Sequence, residues 1–255
     1  MMNLLSDVWF QVIRGLRTQF RMKIFILMNI VQPVIWLLLF PQIFKSLSSM
    51  PEIGGSYLNY LAPGIVVMTV LFGSAWAGMG MLHLIDMGIL SKILATPVTR
   101  VSIIISNVVA SMVVLVMQAI IIFIIAVIRG LDIATGVPGV LLSLVIVMLL
   151  GLGFAAFSNG LALLFKRAEP LMGVINFVAM PTMFLSSIMM PPELLPGWLD
   201  TVRQFNPVDY AVVGVRGLVL EGYVWSDLWL SLVILAAWAA AGITFGTLMF
   251  RARAE

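Results

Sequence analysis

Long, unbroken apolar runs separated by short charged stretches set the pattern of this chain. Six runs, at residues 24–44, 57–84, 101–128, 138–165, 170–190 and 228–250, are each long enough to cross a bilayer. The hydrocarbon core is roughly 30 Å thick and takes about 20 helical residues to span. The runs are continuously apolar rather than alternating, which predicts helices and not the strands of a barrel. The expected fold is an all-α integral membrane protein with six transmembrane helices over residues 24–255.

Two stretches break the pattern. Over residues 1–23, Leu4, Leu5, Val8, Trp9, Val12, Ile13, Leu16 and Phe20 recur at helical spacing. Asp7, Gln11, Arg14, Arg17, Thr18 and Arg21 take the other side. This predicts an amphipathic helix lying in the membrane interface, with its arginines toward headgroups or toward a cytosolic partner. A mixed polar segment ahead of the first apolar run is not the plan of a cleavable signal peptide. The second stretch, 191–227, opens with Pro191, Pro192, Pro196 and Gly197, continues through Asn206-Pro207, and carries an apolar run at 210–220. That run is too short to cross and too apolar for an open loop, so short helices dipping into the outer leaflet are expected. No internal repeat is visible, which gives an inverted-repeat transporter little support.

Charge then fixes the expected orientation. With the N-terminus inside, the inner segments hold Arg14, Arg17, Arg21, Lys23, Lys92, Arg100, Lys166, Arg167, Arg251 and Arg253. The outer segments hold Lys45, Arg129, Arg203 and Arg216. Ten basic residues against four, out of fourteen, place both termini in the cytoplasm by the positive-inside rule. Composition agrees with a lipid-covered protein: 62% of residues are hydrophobic, 10% are charged, and mean hydropathy is +1.14. A net charge of +3 comes from residues between apolar runs and not from a basic cluster, so nucleic acid is not an expected partner.

Chemistry is sparse. The absence of cysteine excludes a thiolate nucleophile and a Cys-based metal site. No phosphate-loop string is present. Gly78/Gly80 and Gly151/Gly153 lie inside predicted spans, where glycine serves close helix packing. His83, the single histidine, has Asp86 three residues on. One imidazole and one carboxylate fall short of the three or four ligands a metal takes. The three outer aspartates, Asp200, Asp209 and Asp227, are scattered and read as a solvated acidic surface. No full charge sits at the centre of a span, which argues against ion coupling. Neutral polar groups do occur there: Asn29, Gln32, Asn107, Gln118, Asn159, Asn176 and Thr182. They serve either interhelical hydrogen bonds or a translocation path. Asn29, Gln32, Asn176, Met180 and Thr182 are the path candidates, with Pro33 and Pro181 expected to kink their helices.

The stretch between the second and third spans carries a resemblance. Asp86, Gly88, Leu90, Lys92, Leu94, Thr96 and Pro97 fall in register on the cytoplasmic loop pattern of ABC-2 type exporter permeases. Asn206-Pro207-Val208-Asp209-Tyr210, with Arg216-Gly217-Leu218 after it, resembles the family's segment before its last span. Leu61-Ala62-Pro63-Gly64 is similar to the opening of its second. Ile85 departs from the family, many of whose members carry a basic residue there. The resemblance implies a permease that is not itself an enzyme and holds no cofactor. ATP and magnesium would belong to a separate cytoplasmic ATPase subunit, present in two copies, beside a second permease copy or close relative. It further implies that Asp86, Met87, Gly88, Leu90, Lys92, Ile93, Leu94 and Pro97, with Arg14 and Arg17, couple the chain to that ATPase. The residues suit such docking: a small apolar patch rimmed by charge, closed by a proline. The implied cargo is a drug-like, lipid or oligosaccharide amphipath; polysaccharide export, an ATP-independent carrier and a lipid-modifying membrane enzyme are the competing readings.

Overall fold

The computed structural model describes residues 4–21, 23–49, 56–89, 100–194 and 196–252. Among these the chain is all helical. The amphipathic segment forms α1 (Leu4–Arg21), and the first apolar run forms α2 (Lys23–Ile43), which contains Pro33 and Pro41. The second run forms α3 (Tyr57–Ala75) and α4 (Gly78–Asp86). Then come α5 (Arg100–Ile128), α6 (Gly136–Phe165) and α7 (Ala168–Phe184). Two short helices, α8 (Gly197–Arg203) and α9 (Pro207–Arg216), precede α10 (Trp225–Ala252).

Among the described residues, four stretches are long and apolar enough to cross a membrane: Tyr57–Asp86, Ile105–Ile128, Gly136–Phe165 and Trp225–Phe250. Alongside them, α2 offers the shorter apolar stretch Asn29–Ile43, and α7 is 17 residues long. The run at 170–190 was expected to be one span; the helix stops at Phe184 and turns follow. A long-range contact terminates it. The Asn206 amide donates to the carbonyls of Thr182 (2.7 Å) and Leu185 (2.8 Å), taking up backbone oxygens that a continuing helix would use.

The break between α3 and α4 is also answered from elsewhere. The regular helix is interrupted at Trp76–Ala77, and the Ser158 hydroxyl of α6 bridges the interruption. It donates to the Ala75 carbonyl and accepts from the Gly78 N–H at 3.0 Å. Freed backbone groups in a membrane interior need such partners. Gly78 is there for closeness: a Cβ on it would lie 2.4 Å from the Ser158 carbonyl oxygen.

Helices α6 and α10 form the most extensive contact in the molecule. Small residues make it possible. A Cβ on Gly242 would lie 2.3 Å from the Gly153 carbonyl oxygen, and one on Gly246 would lie 2.8 Å from that of Ala156. Without a hydrophobic driving force between helices in lipid, this close backbone packing is what holds them together. Across the bundle, Asn107 of α5 donates to Asn159 of α6 at 2.6 Å, and Asn159 donates to its own helix at Ala155 O. Asn159 is wholly buried. Replacing Asn107 with leucine strands the Asn159 oxygen; a loss of about 1–2 kcal/mol is expected, read as a few degrees in detergent thermal unfolding.

Helix α1 has three faces rather than two. Gln11, Val12, Gly15 and Gln19 share one face, which packs on α5. The Ser106 hydroxyl donates to Gln11 Oε1 at 3.2 Å, Gln19 Nε2 donates to Ser111 Oγ at 3.5 Å, and Val12 is buried. Trp9 and Phe20 are exposed on a second face suited to lipid, and Arg14 and Arg17 are exposed on a third.

Candidate functional site

Three places in the fold gather polar and charged side chains. The first is the end of the bundle where α1 and the C-terminus of α4 line one cavity. Helix α4 closes with the Met87 N–H donating to His83 O (3.1 Å) and the Gly88 N–H to Ile85 O (2.9 Å). Gly88 takes a φ of +65°, the left-handed conformation a glycine adopts to end a helix. Asp86 and Met87 are exposed there, Met87 at 57%. Arg14 of α1 and Asp86 line the rim of one cavity, so the fold brings two of the residues named for coupling to the same end. Arg17 is exposed on the same helix as Arg14. Leu90, Lys92, Ile93, Leu94 and Pro97 lie outside the described residues.

The second place is that cavity, about 390 Å³, enclosed by α1, α3, α4 and α5. Asn107, Ser111 and Gln118 present one stripe of α5 to it, at the i, i+4, i+11 spacing of a single helix face. Trp76 and Gly80 form the opposing wall, and His83 stands with Asp86 and Arg14 at the exposed rim. Of the five path candidates, Asn29 lines this cavity. Gln32 is exposed on α2, and Asn176 and Met180 are exposed on α7. Thr182 is half-buried and donates to Val178 O at 2.5 Å within its own helix. Asn107 and Gln118 were grouped with the neutral polar residues but not singled out. Their shared face with Ser111 was the available signal.

The third place is the bracket that ties α8 and α9 to the end of α7. Asn206 caps α9 by accepting from the Val208 N–H at 2.9 Å while donating to α7. Asp209 accepts from the Ser187 N–H at 2.7 Å and from Arg203 Nη1 at 2.9 Å. It is only 4% exposed, which corrects the expectation of a solvated aspartate; Asp200 and Asp227 do reach the surface. Burial lowers the pKa of Arg203, and its bonds to Asp200 and Asp209 outweigh this and hold it above the ordinary arginine value. Arg216, 9% exposed, donates to the carbonyls of Ser187 (2.8 Å) and Ile188 (3.3 Å) and lies 3.7 Å over the Tyr60 ring. The buried face of α9, with Val208, Ala211, Val212 and Val215, packs against α3, α6 and α10. The run at 210–220 is thus largely buried against other helices of the bundle.

A multi-pass helical membrane protein with an amphipathic helix docked on its bundle is the class these features define. Residues 7–220 match the family described as ABC-2 type transporter, and the chain belongs to that family. It is a membrane permease of the kind that lacks an ATPase domain. A protein of Cyanophora paradoxa named as a transport permease, ycf38, is 29% identical over 200 residues, covering 78% of this chain and 69% of that protein. The daunorubicin resistance ABC transporter permease protein DrrB1 of Streptomyces coeruleorubidus is 21% identical over 190 residues, 74% of this chain and 66% of the relative. The "Probable doxorubicin resistance ABC transporter permease protein DrrC" of Mycobacterium tuberculosis is 25% identical over 173 residues, 68% and 62% respectively.

Proposed function

We propose that this chain is the membrane half of an ATP-driven exporter that moves an amphipathic molecule out of the cytoplasm or the inner leaflet. It crosses the membrane six times, with α2 and α7 completing the set of spans and both termini inside. The observation that carries the reading is the exposed α4 end, Asp86-Met87-Gly88, standing beside the charged face of α1 in a chain of the ABC-2 family. A charged rim around exposed apolar side chains is a protein-docking surface. Two ATPase subunits close on ATP beneath it, and the loop through Pro97 passes their motion to the helices. An amphipathic cargo is supported by relatives whose names refer to daunorubicin and doxorubicin resistance. A second copy is supported by the exposed side chains of α2 (Val31, Gln32, Ile35) and α7 (Asn176, Phe177, Met180), two helices that both pack on α3. Facing a partner copy, they would border a shared path.

The reconstituted permease–ATPase pair in proteoliposomes, with doxorubicin as fluorescent cargo, tests this. Replacing Met87, Leu90, Ile93 and Leu94 together with serine is expected to abolish ATP-dependent efflux while the helices stay folded, because docking is lost and the spans are not touched. Unchanged efflux would remove the coupling role. Efflux by the permease alone, without ATPase or nucleotide, would remove the exporter reading altogether.

A further inference from the structure

The cavity under α1 ends in a polar group that nothing in the described protein answers. Gln118 is 4% exposed, lines the deep end, and its side-chain amide makes no hydrogen bond among the described residues. It lies 11 residues beyond Asn107 on α5, about 16 Å at 1.5 Å per residue, so the cavity reaches well into the Ile105–Ile128 span. An amide offers two donors and an acceptor, and leaving them unmade inside hydrocarbon is costly. The wall around it is Gly73, Trp76, Val114 and Leu115, with no charge. The charged residues, Arg14 and Asp86, belong to the rim.

This composition selects an occupant. An ion reaching the deep end would find no counter-charge. A bare acyl chain would fill the space and leave the amide unanswered. About 390 Å³ lies in the range of cavities that hold drug-sized molecules, which are mostly apolar in lining with a few placed polar groups. We propose that this cavity is a binding site for a neutral, drug-sized molecule with an apolar body, whose terminal carbonyl or hydroxyl bonds to Gln118. Entry is from the end marked by Arg14, His83 and Asp86. The walls all belong to one copy of the chain and none to an ATPase, so the site is independent of the export reading.

The full chain in phosphatidylcholine nanodiscs can be tested with two neutral probes that carry a carbonyl: radiolabelled progesterone and the dye Nile red. Saturable binding above that of empty discs is expected for at least one of them. Gln118→Leu keeps the size and removes the amide, and should weaken that binding about tenfold, the worth of one buried hydrogen bond. Val114→Trp fills the wall and should remove it. Gln204→Leu, exposed at the end of α8 and far from the cavity lining, should leave it within roughly twofold of the parent. Should Val114→Trp fail to fold, Gln118→Leu decides alone, since an apolar substitution at an unpaired buried amide does not endanger the fold. No saturable component with either probe, or a Gln118→Leu chain that binds like the parent, would overturn the proposal and leave the cavity a hydrated cleft. Efflux by the reconstituted pair with no probe binding would remove this site and leave the exporter standing.

Discussion

Gly242→Leu should leave little folded protein, one of the largest single-residue losses of stability expected among the described residues. The Cβ alone would come within 2.3 Å of the Gly153 carbonyl oxygen and 2.8 Å of its Cα. These are backbone atoms of a buried helix, so no rotamer change relieves the contact. The two helices must separate, and that forfeits the packing along Gly153, Ala156 and Gly160 on one side and Gly246 on the other. Trp238, whose ring packs on Phe154 at 4.8 Å and sits where a Gly153 side chain would go, would lose its seat as well. Overpacking of this kind costs roughly 3 kcal/mol or more. The readout is a fall on the order of 10 °C in detergent unfolding, or loss of the monodisperse peak. Gly173→Leu on α7 is the control, since nothing lies within 4 Å of a Cβ there. If Gly242→Leu unfolds with the parent, the α6–α10 seam does not hold the bundle.

The seam shows where the sequence was readable and where it was not. The run at 101–128 was legible because it is long, uninterrupted by proline and preceded by Arg100; the helix found is Arg100–Ile128. The short helices before the last span were likewise visible, because proline and glycine punctuate 191–207 ahead of an apolar run. Glycines at 242 and 246 also carry a signal, the Gly-x-x-x-Gly spacing, as Gly78/Gly80 and Gly151/Gly153 carry a Gly-x-Gly one. A pattern on one helix does not say which helix receives it. The end of α7 was not legible for the same reason. It is set by Asn206, more than twenty residues away, and no local property of Phe184 marks it. Of the named path residues, Asn29 reaches the cavity, whereas Gln32, Asn176 and Met180 are exposed. Polarity in a span says that a partner is required. Whether that partner is a neighbouring helix, a second copy or a ligand depends on which way the face points, and only the assembled bundle supplies that.

Asp209 makes the same point with a larger consequence. By composition it was one of three scattered acids; in the fold it holds the α7–α9 corner together. Asp209→Ala is expected to cost about 3–5 kcal/mol, because it leaves the Ser187 N–H and one arm of the Arg203 guanidinium without their acceptor. Asp209→Asn keeps an oxygen for Ser187 and gives up only the charge. It should cost about 1–2 kcal/mol, since Arg203 retains Asp200 at 2.6 Å. The outer partner matters less: Asp200 is half exposed, and Asp200→Asn should stay within about 1 kcal/mol of the parent. The order Ala, then Asn at 209, then Asn at 200 is the diagnostic feature, measured by thermal unfolding in one detergent. A purely electrostatic role would make the two Asp209 variants equal. A solvated surface role would make all three silent. Arg216 on the far side of Ser187 predicts which part of the chain fails first. With Asp209 gone, the 187–188 backbone keeps the Arg216 bonds to its carbonyls and loses the bond at its N–H, so the turns at 185–190 should become protease-sensitive before α3 or α6 opens.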